Sequence, residues 1–377
     1  VLHFVAPESA IEKHRGLKID VHYEMYQGLP AIAKWITVDN SVEGEIVIEK
    51  VEGEILAVNQ DQLKRLHVES DYSFGLGNAH PEGSALLHFT GGVPSEMQAG
   101  RSTTRWLVDE EYNTWATHNP AEDLFLGFRH QCLLVSRTPV GPAARVQSEE
   151  SFKSIITFEI LHDSDDEERQ SLAHRRFYRK MAPQVTESLL TAGITSHDEE
   201  QLKGFIDQMA ELGFERLDIM AWPGIDHSNL DPDYLAHWKG IADYAKARGI
   251  IMDGYELIIA SRGRGEEVDV IDPDTGKPGS PFGQSVCVAS RWSDDYFNKM
   301  WQFYNATGFR SHNMDGPYHG DVCASTSHSH HRGLHDSQWE QWKIQVKVLH
   351  ELQRRDIYIP IPDWYFLNGQ CATGMGY

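Results

Sequence analysis

The sequence predicts a β-rich N-terminal domain followed by an incomplete (β/α)8 barrel, and three observations predict it. Short runs with strand-like patterning recur from the start of the chain to about residue 160. After Phe158 the pattern changes to helical stretches of about ten to fifteen residues that alternate with single apolar runs, the mark of βα units on a parallel sheet. Only five such runs fit before Tyr377, whereas a complete barrel has eight βα units in about 250 residues.

In the N-terminal part, Leu17 to Met25 alternates apolar and polar residues without a break, which predicts a strand with one buried face. The turn Gln27-Gly28-Leu29-Pro30 follows. Ala31 to Val38, Glu45 to Val51 and Glu54 to Val58 read as further strands, divided by Asp39-Asn40 and Gly53, and Ala85 to Phe89 and Leu133 to Val135 extend the trend. A β-sandwich over residues 1–160 is expected. An acidic run from Asp163 to Glu168 and a basic stretch around Arg175, Arg176, Arg179 and Lys180 predict a linker over 161–180.

Residues 181–377 then carry the barrel units. The first strand is expected within Lys180 to Leu190, followed by a helix capped by Ser196 and Glu199, striped with Leu202, Phe205, Ile206, Met209 and Ala210, and stopped at Gly213. Phe214 to Trp222 is the second strand. Helices near Asp233 to Arg248, Asp294 to Ala306 and Asp336 to Arg355 feed strands at Ile250 to Ile259, Phe309 to Met314 and Ile357 to Ile361.

Composition narrows the partners. With 56 acidic against 34 basic residues the formal charge is -22, which repels phosphate backbones and anionic lipid heads, so neither nucleic acid nor a membrane surface is expected. No apolar stretch reaches the roughly 20 residues of a membrane span. The chain begins with Val1 and shows no basic start followed by an apolar run, so a signal peptide is expected to be either already removed or never part of this segment, which leaves export open. Ten Trp and 14 Tyr suit sugar faces, although most such rings fill cores. Cys132, Cys287, Cys323 and Cys371 are far apart and form no CxxC pair, so spacing suggests neither a zinc site nor a disulfide framework.

Barrel active sites sit at the carboxyl ends of the strands. The residues to weigh are therefore Glu187 on the first strand, Trp222 and Asp226 after the second, Glu256 on the third, Asp315 after the fourth, and Asp363 with Trp364 after the fifth. Paired carboxyl groups are what glycoside cleavage uses, although metal-binding and proton-abstracting barrels also line their mouths with acids. Asn313-Met314-Asp315-Gly316-Pro317-Tyr318-His319-Gly320-Asp321 is the densest segment, and Gly-Pro after Asp315 turns the chain sharply; a simple turn cap is the plainer account of that Asp. Asp363 is explained equally by an Asx-turn, and Glu256 by an ion pair with Arg262. His328, His330, His331 and His335 crowd one loop near His319 and Asp321, but without HExxH spacing or a Cys partner, and a solvated loop is the commoner outcome. No dinucleotide, phosphate-loop or GxSxG signature is present, and no cofactor is expected.

The stretch Val21-His22-Tyr23-Glu24-Met25-Tyr26-Gln27-Gly28-Leu29-Pro30, with Lys34-Trp35 and Glu54-Ile55-Leu56-Ala57-Val58, resembles the β-supersandwich that precedes the barrel in clan D glycoside hydrolases, family 36 α-galactosidases above all. Met181-Ala182-Pro183 to Trp222 is similar to the opening of their barrel. The resemblance implies a retaining α-glycosidase whose nucleophile is Asp315, with Glu187, Trp222, Glu256, His319, Asp321, Asp363 and Trp364 lining the sugar pocket, no metal, and a homo-oligomer. Its acid/base residue would lie on a sixth strand, past Tyr377. The sequence departs from the family pattern at Ile219-Met220-Ala221, where an Asp pair is usual, and at Asn313, where a Lys is usual. A non-catalytic glycan-binding protein and a metal-dependent hydrolase built on the His-rich loop are the alternatives.

Overall fold

The computed structural model describes residues 1–11, 14–58, 65–72, 104–107, 132–184, 188–220, 224–258, 263–279, 285–316, 322–361 and 365–371. They form two units, one up to Lys180 and one from Met181 onward.

The first unit is antiparallel. Strands β1 (Leu2–Val5), β2 (Leu17–Met25), β3 (Ala31–Asn40), β4 (Ile46–Val58), β5 (Leu66–Ser70), β6 (Thr104–Leu107), β7 (Cys132–Val146), β8 (Ser151–Lys153) and β9 (Thr157–Leu161) make two sheets. One is ordered β1-β2-β3-β9-β5 with β8 on β3, and the other β4-β7-β6. The two predicted runs on either side of Gly53 are a single strand: β4 continues through that glycine, with its register against β7 shifting between Lys50 and Glu54. Gly53 sits close under β9, where a Cβ would lie 3.4 Å from Thr157 Oγ1, so here a glycine marks a close approach and not a break.

Buried polar contacts tie the two sheets together. Ser136 and Thr157 share a hydroxyl hydrogen bond of 2.8 Å, and Lys34 Nζ donates to Glu54 Oε1 at 2.9 Å. Burial, and then the hydrogen bond and charge of Glu54, push Glu159 up to about 7. The buried face expected of β2 is not found. Ile19, Tyr23 and Met25 are exposed, because β2 gains its order from pairing with β1 and β3 and no second layer covers that face among the described residues. The predicted linker is also different: helix α1 (Glu167–Met181) occupies most of it, with Phe177 and Tyr178 buried. Ala85 to Phe89 lies outside the described residues.

The second unit is built from parallel strands β10 (Thr191–Ile194), β11 (Arg216–Ile219), β12 (Ile251–Leu257) and β13 (Asn313–Asp315), adjacent in chain order. Helices α2 (Glu199–Leu212), α3 (Pro232–Lys246) and α4 (Arg291–Thr307) connect them, and α5 (Leu334–Arg354) follows. The fifth apolar run joins the edge of β13 through one parallel bridge, Ser311 to Tyr358. The first strand starts later than the sequence suggested, at Thr191. Leu190 O accepts from the backbone of Glu215 and Arg216, so pairing with β11 chooses the strand where local patterning is weak. Asp198, and not Ser196, caps α2 by accepting from Gln201 N at 2.8 Å; Gly213 ends it in the left-handed region at φ 79°.

Leu217, Ile219, Met252 and Met314 point from the sheet into the main apolar core, with Trp238, Ile241, Met300 and Phe303 of the helices. The alternate positions, Asp218, Asp253, Tyr255, Asn313 and Asp315, therefore share the opposite face. No described helix is long and apolar enough to cross a membrane.

Candidate active site

The polar face of the sheet holds a charged ladder. Arg216, at the start of β11, donates to the fully buried Asp253 and, through Nε, to Thr191 Oγ1 at 3.0 Å. Asn313 Nδ2 donates to Asp218 Oδ2 at 3.1 Å. Burial, and then the neighbouring Asp253 charge, push Asp218 up to about 6; burial likewise raises Asp253 against the pull of Arg216. Asn313 thus serves a buried carboxylate two strands away.

Toward the carboxyl edge the face changes from structural to accessible. Asp315 is the last residue of β13, half-buried, in register with Leu257. The Tyr255 hydroxyl, from the neighbouring strand, donates to its carboxylate. Tyr255 in turn lines a cavity of about 320 Å³ with Glu256, Asp226, Ser228, Arg264, Trp292 and Tyr296 among its walls. Trp292 and Tyr296, a turn apart at the start of α4, stack with centroids 4.4 Å apart and planes 14° from parallel. Asp315 is not itself a lining residue among those described, and reaches the cavity's edge through Tyr255.

Glu256 belongs to the other side of β12, in register with Met314. Its carboxylate accepts from His227 N at 3.2 Å, lies 2.7 Å from His227 Nδ1, and accepts from the Tyr296 hydroxyl. The partner expected from sequence was Arg262, which lies outside the described residues; the carboxylate is instead held by a histidine and a tyrosine. Glu256 thus fastens the loop after β11 and the first turns of α4 to β12. Asp226 turns that loop, its Oδ1 accepting from Ser228 N at 2.9 Å and Ser228 Oγ at 2.7 Å.

Of the residues singled out from sequence, the structure places Asp315, Glu256 and Asp226 at one edge of the sheet. Glu187, Trp222, His319, Asp321, Asp363 and Trp364 lie outside the described residues. Sequence missed Trp292, Tyr296, His227 and Arg264. Trp292 and Tyr296 carry no local signal, since two aromatics a turn apart on an amphipathic helix read as core.

The His-rich loop is the larger surprise. Cys287, Cys323, His328 and His331 are all buried, and one ligand atom from each lies within 4.8 Å of the rest. This corrects the expectation that no cysteine accompanies the histidines. The two cysteines come from segments far apart in sequence, before α4 and after β13, so no spacing rule could pair them. The hydrogen bond from Cys287, and then those of His328 and His331, hold Cys323 far below the usual thiol range despite its burial.

No protein-family model matches the chain, and no curated protein matches it in sequence. Solved structures do. The α-galactosidase of Lactobacillus brevis superposes with a TM-score of 0.59 at 12% identity, covering 95% of this chain and 54% of its own. Two GH36 α-galactosidases of Geobacillus stearothermophilus are also similar: AgaB at a TM-score of 0.56, 11% identity and 95% against 56% coverage, and AgaA at 0.54, 11% and 96% against 54%. At this identity the likeness is one of fold, and the chain has a GH36-like fold. It spans about half the length of the structures it matches.

Proposed function

We propose that this chain is part of a retaining α-glycosidase, α-galactosidase-like in architecture, in which Asp315 attacks the anomeric carbon and a second carboxylic acid protonates the leaving oxygen. In this reading β10 to β13 and the edge segment at Ile357 to Ile361 are the first five strands of a (β/α)8 barrel over residues 181–377, and the N-terminal sheets are its supersandwich, with the division falling between residues 160 and 181. The observation that carries it is the position of Asp315: the last residue of a parallel strand, half-buried, its carboxylate bonded by a tyrosine that lines a sugar-sized cavity. A carboxylate nucleophile must be aimed, and the hydrogen bond from the Tyr255 phenol helps to orient this one. The stacked Trp292 and Tyr296 offer the apolar wall that a sugar face requires. His319, Asp321, Asp363, Trp364, Trp222 and Glu187 complete the pocket in this proposal, Glu256 supports it from behind, and the substrate is a neutral carbohydrate.

The test is Asp315→Ala in the full-length protein with aryl α-galactosides and related α-glycosides. A loss of about a thousandfold or more in kcat/KM, roughly 4 kcal/mol of transition-state stabilisation, is expected. Added azide should restore turnover and yield a glycosyl azide of inverted anomeric configuration, because it fills the space vacated by the nucleophile. Unchanged hydrolysis removes Asp315 from the mechanism. A parent protein that binds α-glycosides and cleaves none would make the site a glycan-binding one.

A further inference from the structure

We infer that Cys287, Cys323, His328 and His331 form a structural zinc site that pins together the two loops following β12 and β13. Four observations bear on it, none of which involves the proposed glycosidase chemistry.

The donor set is two thiols and two imidazoles, one of the recurring compositions of a closed tetrahedral zinc site. The dimensions are close. Zn–S bonds of about 2.3 Å and Zn–N bonds of about 2.0–2.1 Å place tetrahedral ligand atoms roughly 3.3 to 3.8 Å apart. Here His328 Nδ1 lies 3.5 Å from Cys323 Sγ, within that range, and 3.0 Å from His331 Nε2, a few tenths of an ångström short of it, and all four ligand atoms lie within 4.8 Å of one another.

The hydrogen bonds set the tautomers. His331 Nδ1 lies 3.1 Å from Gly333 O, and His328 Nε2 lies 3.1 Å from Glu266 O. A carbonyl can only accept, so each of these outer nitrogens carries hydrogen, and in the neutral rings the inner nitrogens are bare lone pairs. Two lone pairs facing each other at 3.0 Å repel unless a proton or a metal ion lies between them, and a zinc ion would meet both of them together with the sulfurs. An outer N–H given to a backbone carbonyl is also how metal-bound histidines are commonly oriented.

Burial points the same way. Cys287 and Cys323 are inaccessible, and His328 and His331 are 6% and 3% exposed, so a site with four protein ligands has no position open to substrate. The Ile271 backbone N–H donates to Cys323 Sγ at 3.3 Å, a bond that favours a thiolate. Cys323 N is held by Ser337 Oγ at 3.0 Å, and Cys287 N by Val268 O at 2.8 Å, so the sulfurs are presented by fixed backbone. The clamped contacts start at Glu266, two residues after Arg264, which is a wall of the cavity that Tyr255 also lines. Zinc there would hold the mouth's loops in place and take no part in bond cleavage.

The experiment is metal analysis of the protein purified from zinc-containing medium without chelator. About one zinc per chain is expected. Refolding with cobalt should give the intense visible bands of tetrahedral Co(II) and a near-ultraviolet thiolate-to-cobalt band. Cys323→Ser and His331→Gln should each lower zinc retention at least tenfold after dialysis against a competing chelator, whereas Cys371→Ser leaves it unchanged. Should the first two variants fail to fold, the zinc content and cobalt spectrum of the unaltered protein decide. Folded protein with neither zinc nor a cobalt–thiolate band, or with a Cys287–Cys323 disulfide in its peptide map, overturns the inference. Loss of glycosidase activity alone bears on neither outcome.

Discussion

Gly254 offers the sharpest test of how the fold builds the cavity. It lies in the middle of β12, and a Cβ there would stand 2.0 Å from Ile225 Cγ1 and 2.6 Å from Ile225 Cβ. Ile225 cannot simply swing aside: it is 3% exposed within the main core, and its backbone N–H is bonded to Tyr255 O at 3.2 Å. Gly254→Ala must therefore push residues 224–228 off the strand, straining the His227 bonds to Glu256. Overpacking of this kind costs about 1–3 kcal/mol. At roughly 2–4 °C per kcal/mol for a unit of this size, the melting temperature should fall by about 2–12 °C. Differential scanning calorimetry with a double-mutant cycle checks it. Ile225→Ala alone should cost about 2–5 kcal/mol. Alanine at 225 still presents its Cβ 2.6 Å away, so the clash is relieved only in part; if the Cγ1 clash is the main cause, Gly254→Ala should still cost measurably less in the Ile225→Ala background than in the wild type, and less again in an Ile225→Gly background. Strict additivity, or a neutral Gly254→Ala, would refute the steric account.

Three further outcomes follow from buried charge. Arg216→Met strands the fully buried Asp253 without its cation and should destabilise by about 3–5 kcal/mol in urea unfolding, with part of the loss recovered in Arg216→Met/Asp253→Asn; equal stability of the single and double variants counts against the ion pair. Glu159 is raised to about 7 in the folded state, chiefly by burial, so the native protein holds its proton more tightly than the unfolded chain, and stability falls as pH rises from about 4.5 to 7. Glu159→Gln should flatten that decline and be more stable than wild type at pH 8, and an unaltered pH profile would contradict it. His312 is lowered to about 3 by burial and then by the nearby His227, so its contribution is intact above pH 6.5 and is lost as pH falls toward 3, at up to about 1.4 kcal/mol per unit. His312→Gln, which can still meet the Tyr304 hydroxyl, should show a shallower acid limb in unfolding measurements at pH 6 to 4; the same slope would assign the acid loss to other groups.

Periodicity and caps carried the second unit far. Helices α2 to α5 fall within a few residues of where apolar stripes and terminal glycines put them, because those signals are local and each helix must bury its stripe on the sheet. Strands were less legible. β2 was found with its bounds intact and its burial mistaken, since alternation reports a face and says nothing about whether another layer covers it. At β10 the pairing partner overruled the local pattern, and at Gly53 a glycine that looked like punctuation lies inside a continuous strand.

The site divides in the same way. Sequence alone determined that an aspartate lies at the end of a strand at position 315 and that the carboxylate of Glu256 lies one strand away, because strand ends and residue types are properties of short segments. Only the tertiary structure decided what those groups meet: Tyr255 on Asp315, His227 and Tyr296 on Glu256, and the stacked pair that walls the cavity. It alone brought Cys287 to Cys323, His328 and His331. Four ligands drawn from two loops have no sequence period, since the distance that unites them is set by how neighbouring parallel strands deliver their loops to one edge of the sheet.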